Sequence, residues 1–180
     1  MNAARGHYKR KRGVVSTLLL VSEGETEAAF LKFLKGTFVS RGSGIAVTVR
    51  NARGGSPESV IAFAKKQLNG RAFNRCLIVM DTDRPWPQPP PARIQRVPIE
   101  YVKVEPCIEG LLLQIIDPDD YQRSWDTEAC KREFENRYLD SKRKLDHRNF
   151  DRILSRDFLL SRQCHVPALD AIVRALAAQT

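Results

Sequence analysis

The feature that most limits what this chain can fold into is a pair of largely apolar runs without polar alternation, Val14–Val21 and Cys76–Met80, each stopping at or just before an acid. A strand with one wet face alternates polar and apolar residues. A run without alternation is the pattern of a strand buried on both faces, as in a parallel sheet covered by helices. Helical spacing fills the gaps. Ala28, Phe30, Leu31, Phe33 and Leu34 form an apolar stripe that ends near Gly36. Ile45–Arg50 reads as a second strand, and Gly54-Gly55-Ser56-Pro57-Glu58 then opens a helix with Ser56 as N-cap and Pro57 at its first position. Val60, Ile61, Ala64 and Leu68 supply that helix's buried stripe. Ile99–Val104 is a fourth strand. Pro106-Cys107-Ile108-Glu109 begins a helix that is apolar all round through Leu111, Leu112, Leu113, Ile115 and Ile116, which calls for burial. Strands alternating with helices imply right-handed crossovers and a mainly parallel sheet, an α/β sandwich.

Six prolines, Pro85, Pro87, Pro89, Pro90, Pro91 and Pro98, rule out a regular helix or central strand over most of residues 85–98 and predict an exposed loop with polyproline character. Beyond Asp117 the chain is polar and helical in tendency over Thr127–Leu139. A basic link follows, and a closing helix over Pro167–Ala178 carries Leu169, Ile172, Val173 and Leu176 toward the core. The expected organisation is a basic tail over 1–13, an α/β domain over 14–116 and a helical extension over 117–180 packed on the same core. A length of 180 residues suits one such unit.

A hydrophobic fraction of 42% and a charged fraction of 28% are those of a globular protein. The longest apolar runs fall far short of the roughly 20 residues a membrane span needs, so no membrane is expected. Neither is a secretory signal, because the first apolar segment contains Ser16 and Thr17 and ends in acids. Cys76, Cys107, Cys130 and Cys164 show no zinc or disulfide spacing, which fits reduced thiols and a cytoplasmic location. The net charge of +9 is concentrated in Arg5–Arg12 and in Lys142, Arg143, Lys144, His147 and Arg148. Basic clusters of this kind attract polyanions by counterion release, or are simply solvated segments. Lys9, Arg10, Lys11, Arg12, Arg84 and Arg143 are the nucleic-acid-binding candidates.

The acids carry the chemistry. In open α/β sheets ligands bind beyond the carboxyl ends of the strands. Glu23 follows the first strand, Asp81 and Asp83 the third, and Glu109 the fourth. Asp81 and Asp83, two apart, leave an extended backbone from one face, their Cα atoms about 6.5 Å apart. Carboxylate oxygens without His or Cys favour Mg²⁺ or Mn²⁺, which neutralises phosphate charge and activates water. Glu23 and Glu27 lie one helical turn apart beside Gly24, which lets backbone approach a ligand. A plainer account is available for each: Asp83-Arg84-Pro85 as a turn, and Glu25, Glu27 and Glu109 as helix-start acids meeting the macrodipole. Glu25 fits that plainer account best.

Two segments, Leu20-Val21-Ser22-Glu23-Gly24-Glu25-Thr26-Glu27 and Ile78-Val79-Met80-Asp81-Thr82-Asp83, resemble the signature of the TOPRIM superfamily, a glutamate–glycine turn after one strand and a DxD at the end of another. Within it the chain is most similar to the RloB-like family, through Glu105-Pro106-Cys107-Ile108-Glu109-Gly110-Leu111-Leu112-Leu113. OLD-type nucleases are near relatives by the Glu23 to Glu27 interval. The resemblance covers roughly Thr17 to Ile116. It departs from the RloB pattern in that interval, in Ile108 where an aromatic is usual, and in lacking a tryptophan after Glu109. It implies a TOPRIM fold and metal-dependent phosphoryl chemistry, with Glu23 as general acid or base and metal ligand, and Glu27, Asp81, Asp83 and Glu109 as further ligands. It also implies a setting in bacterial restriction or phage defence.

The expectation is thus a Mg²⁺- or Mn²⁺-dependent nuclease or phosphodiesterase acting on DNA, RNA or a nucleotide. A protein partner such as an ATPase subunit is also in view. Lys142 or Lys144 balances developing charge at the site, or lies in an exposed linker. The competing expectation is a non-catalytic nucleic-acid- or partner-binding subunit that retains the fold.

Overall fold

The computed structural model describes residues 16–70, 72–86, 90–138 and 147–177. Its centre is β1 (Ser16–Ser22), whose Leu18, Leu19, Leu20 and Val21 are entirely buried. Hydrogen-bonded on either side are β2 (Ile45–Asn51) and β3 (Arg75–Asp81), both parallel to it. Beyond β3 lies β5 (Val97–Val104), also parallel, and a two-residue strand β4 (Arg93–Ile94) runs antiparallel along the start of β5. The sheet order is β2-β1-β3-β5-β4. The two runs without alternation are the two innermost strands. β5 alternates, burying Ile99, Val102 and Val104 while Glu100 and Lys103 meet solvent, because only β4 lies beyond it.

From β1 the chain moves to one side to form β2, then returns across β1 to form β3. With right-handed crossovers, that reversal places the two connecting helices on opposite faces. Accordingly α1 (Glu25–Phe38) packs on the face of Leu18, Leu20, Leu77 and Val79, and α2 (Pro57–Leu68) on that of Leu19, Val21, Ile78 and Met80. The Ser56 hydroxyl caps α2 by accepting from the Ser59 N–H.

The α1 face carries most of the remaining chain. α3 (Ile108–Ile116) and α4 (Thr127–Tyr138) pack together through Leu111, Leu112, Cys130 and Phe134, with Asp126 accepting from the Ala129 N–H at the start of α4. The segment expected to be a basic link instead forms α5 (His147–Ile153) and α6 (Arg156–Gln163). Phe150 sits 5.4 Å from Phe30 and 5.6 Å from Phe33 between ring centres, and Ser155 caps α6 by accepting from the Phe158 N–H. The last helix, α7 (Pro167–Ala177), buries Leu169, Ile172, Val173 and Leu176 as its spacing predicts. Each such side chain removed from water contributes about 1.5–3 kcal/mol, and the buried residues of α4 to α7 belong to one cluster with those of α1 and α3.

Most described residues of the proline-rich segment are exposed, as its composition predicts, with two buried anchors. Trp86 is 8% exposed and donates from Nε1 to the Asp81 carbonyl, and Ile94 is also buried. β4 survives among the prolines because it is an outermost strand that needs few ladder hydrogen bonds. Val14 and Val15, assigned to the first strand from sequence, lie outside the described residues, as do Lys9–Arg12 and Lys142–Lys144. Among the described residues no helix is long and apolar enough to cross a membrane.

Candidate active site

The sheet's switch point lies between β1 and β3, where the direction of travel reverses, and ligands in open α/β sheets bind at the carboxyl ends of strands there. Glu23 follows β1 and Asp81 closes β3, so the two acids flank it.

Backbone bonds fix the turns at this edge. The Gly54 N–H donates to the Glu23 carbonyl at 2.7 Å, and Ala52 N–H to the Ser22 carbonyl at 2.9 Å, tying the turn after β2 to the turn after β1. Thr82 N–H donates to the carbonyls of Val104 (3.0 Å) and Pro106 (3.3 Å), tying the end of β3 to the turn after β5. Arg84 reaches across from the β3 side and donates to the Gly55 carbonyl at 3.2 Å. Three strand ends are thereby laced into one rim.

Strand parity decides where Asp81 points. It shares a face with Leu77 and Val79, the face covered by α1 and α3. The first turns of those helices hold Glu27 and Glu109, only 5% and 8% exposed. Four acids therefore converge, with Asp83 at the margin. Burial pushes Asp81 up to about 9, reinforced by Glu27, Glu109, Glu23 and Asp83 in that order. Burial also pushes Glu27 up to about 7, with Glu109 and Glu23 adding to it. Glu23 is raised chiefly by burial and then by Asp83, while Arg84 and Lys131 pull it back. Asp81 Oδ1 and Glu109 Oε2 are buried without a hydrogen-bond partner. A buried oxygen left so costs about 1–3 kcal/mol unless a proton or cation meets it.

Two expectations are modified by this geometry. The extended backbone stops at Asp81 and bends over Thr82–Arg84, so Asp81 is partly buried and Asp83 exposed rather than the two forming a matched pair. Gly24 has φ −121° and ψ −174°, which any residue adopts, and the space a Cβ would fill is taken by Glu27 Oε2 at 2.8 Å. The glycine makes room for Glu27, not for an approaching ligand. Glu25 is exposed at the start of α1, as a helix-start acid should be. Lys131, on α4, is a cation at the site that no motif singled out. It follows Cys130 in the stripe by which α4 packs on α3, and only that packing brings it near Glu23.

The acids suit a hard divalent ion by donor chemistry and by their two orphaned oxygens. Among the described residues no three acid, His or Cys side chains already surround one point closely enough to hold an ion. Magnesium does not require that, since it usually keeps several waters and takes one or two carboxylates together with substrate phosphate.

Fold and rim together define an α/β protein with a mainly parallel sheet and buried acids at its switch point. Compared with family models, curated proteins and solved structures, the chain matches none.

Proposed function

We propose that this protein is a Mg²⁺- or Mn²⁺-dependent nuclease or phosphodiesterase with a TOPRIM-like sheet. The observation that carries this is the convergence of Glu23, Glu27, Asp81 and Glu109 from three strand ends, with two carboxylate oxygens buried and unpartnered. Such a cluster is electrostatically unfavourable unless protons or a cation neutralise it, and a cation would also keep a polyanionic substrate from being repelled. A bound divalent ion would supply charge neutralisation at the phosphate and an acidified water.

The chain's own residues divide the remaining work. Asp81 and Glu109, whose oxygens are buried without a partner, would hold the ion together with Glu27. Glu23, half-buried and with its carboxyl raised, accepts or returns a proton at the edge of the cluster. Arg84 and Lys131, the two cations that act on Glu23, would offset the charge that develops on a phosphodiester bound there.

The test is incubation of purified protein with single- and double-stranded DNA and RNA, with Mg²⁺, Mn²⁺ or EDTA. Cleavage is expected only with metal, and Glu23→Ala should lower its rate by about 10²–10⁴-fold. Failure to cut any substrate with either ion, or cleavage unchanged in Glu23→Ala, would leave a non-catalytic binding subunit as the better account.

A further inference from the structure

A second cavity, of about 370 Å³, lies at the end of β5 between α3 and α7. Its size falls within the range of about 300–1,000 Å³ usual for small-molecule sites. The polar groups lining it are Lys103, Glu105, Gln114, Tyr121, Arg123 and His165. Two of the charged residues are cations at neutral pH, a third is histidine, and one is an acid. None of the four forms a salt bridge among the described residues. The ammonium of Lys103 rests 5.0 Å from the centre of the Trp86 ring, on the face of the sheet opposite α3 and α7, so it does not face the cavity. Arg123 and His165 are exposed and available. Behind Gln114, Arg162 donates to the Gln114 carbonyl at 3.4 Å while its Nε is buried without a partner, adding a further positive charge to that wall. Pro167 and Ala168, the first turn of α7, close another side and present the positive end of the helix dipole.

Tyr121 gives the cavity an aromatic wall. Trp125 braces its ring at 6.0 Å and 83°, which fixes it without a parallel stack. An aromatic ring, a side-chain amide and an arginine together match the parts of a nucleotide: base face, base edge and phosphate.

We propose that this cavity is a nucleotide subsite. It takes one nucleoside monophosphate unit, the phosphate against Arg123 and His165 and the base against Tyr121, with Gln114, whose Nε2 donates to the Glu105 carbonyl at 3.4 Å, at its edge. The cavity adjoins the acidic cluster through α3, whose first turn bears Glu109 and whose next turns supply Leu111 and Gln114 to the cavity. That the unit belongs to a strand being cleaved rests on the phosphodiester reading above. Binding of the unit does not.

Calorimetric titration of the full chain in EDTA tests this, with adenosine and uridine monophosphates, adenosine, and inorganic phosphate as probes. The monophosphates should bind, and more tightly than adenosine or phosphate. Arg123→Ala and Tyr121→Ala should each weaken them about tenfold, the loss of one charge-assisted hydrogen bond or one stacking contact. Arg123→Lys should restore part of the first loss. A short 5′-phosphorylated single-stranded oligonucleotide separates the two sources. If it competes and binds more tightly, the unit comes from a strand, and if it does not compete, from free nucleotide. The proposal is overturned if no monophosphate binds, or if neither Arg123→Ala nor Tyr121→Ala alters binding. EDTA throughout keeps this result separate from any failure of metal-dependent cleavage.

Discussion

Asp81 contains the central conflict of the molecule in one side chain. Its folded pKa of about 9 lies far above the value of about 3.9 expected in an unfolded chain. Between those values the folded state holds a proton that the unfolded state releases, so the stability this residue contributes falls as pH rises. The contribution is complete below about pH 4 and is lost as pH passes through 9. In EDTA, the wild-type protein should therefore lose stability from about pH 5 to pH 9. Asp81→Asn removes the titration while keeping the shape, and should be more stable than wild type at about pH 8, by roughly 1–3 kcal/mol, while losing metal-dependent cleavage. Urea unfolding across that pH range measures this. A variant less stable than wild type at pH 8 would show that the neighbouring acids do not oppose the Asp81 charge.

At the scale of the element, two glycines show how differently a helix start and a helix packing face respond to one added methyl group. At Gly24 the obstacle is the flexible end of Glu27, so Gly24→Ala should change stability by less than about 1 kcal/mol while displacing that carboxylate and weakening Mg²⁺ binding. At Gly110 a Cβ would lie 2.9 Å from the Pro106 ring and 3.2 Å from Cys130 Sγ. Neither yields easily, so Gly110→Ala should cost about 1–3 kcal/mol by urea unfolding. Elements also set what was legible in the sequence. β1 and β3 could be read because burial on both faces leaves no alternation, and α2 because Ser56 and Pro57 announce it. α5 and α6 could not, because a mostly polar stretch hides one buried ring, Phe150, and a cap at Ser155 whose value depends on α1 lying opposite. The acids of the cluster followed from their strand ends. Lys131 did not, since its approach to Glu23 is a product of helix packing.

For the whole molecule, a cluster of carboxylates kept partly protonated by the fold should behave as a switch loaded by metal. Residues from α1, β3 and α3 meet there only in the folded state, so an ion that binds them stabilises folding by mass action, by about 2.7 kcal/mol at a hundred times its Kd. The ion must also displace the protons that hold the site together without it. At pH 7, Asp81 with a pKa of about 9 carries nearly a full proton and Glu27 with a pKa of about 7 roughly half of one. Mg²⁺ binding should therefore release about one proton or slightly more at pH 7, fewer as pH rises through 9, with affinity climbing over the same interval. Titration calorimetry in two buffers of different ionisation heat counts the protons, and thermal unfolding with and without Mg²⁺ reads the stabilisation. Asp81→Asn should abolish most of the release and the gain in melting temperature. Binding without proton release, or a melting temperature indifferent to Mg²⁺, would mean that the buried acids are neutral structural groups and that the ion, if it binds, does so elsewhere.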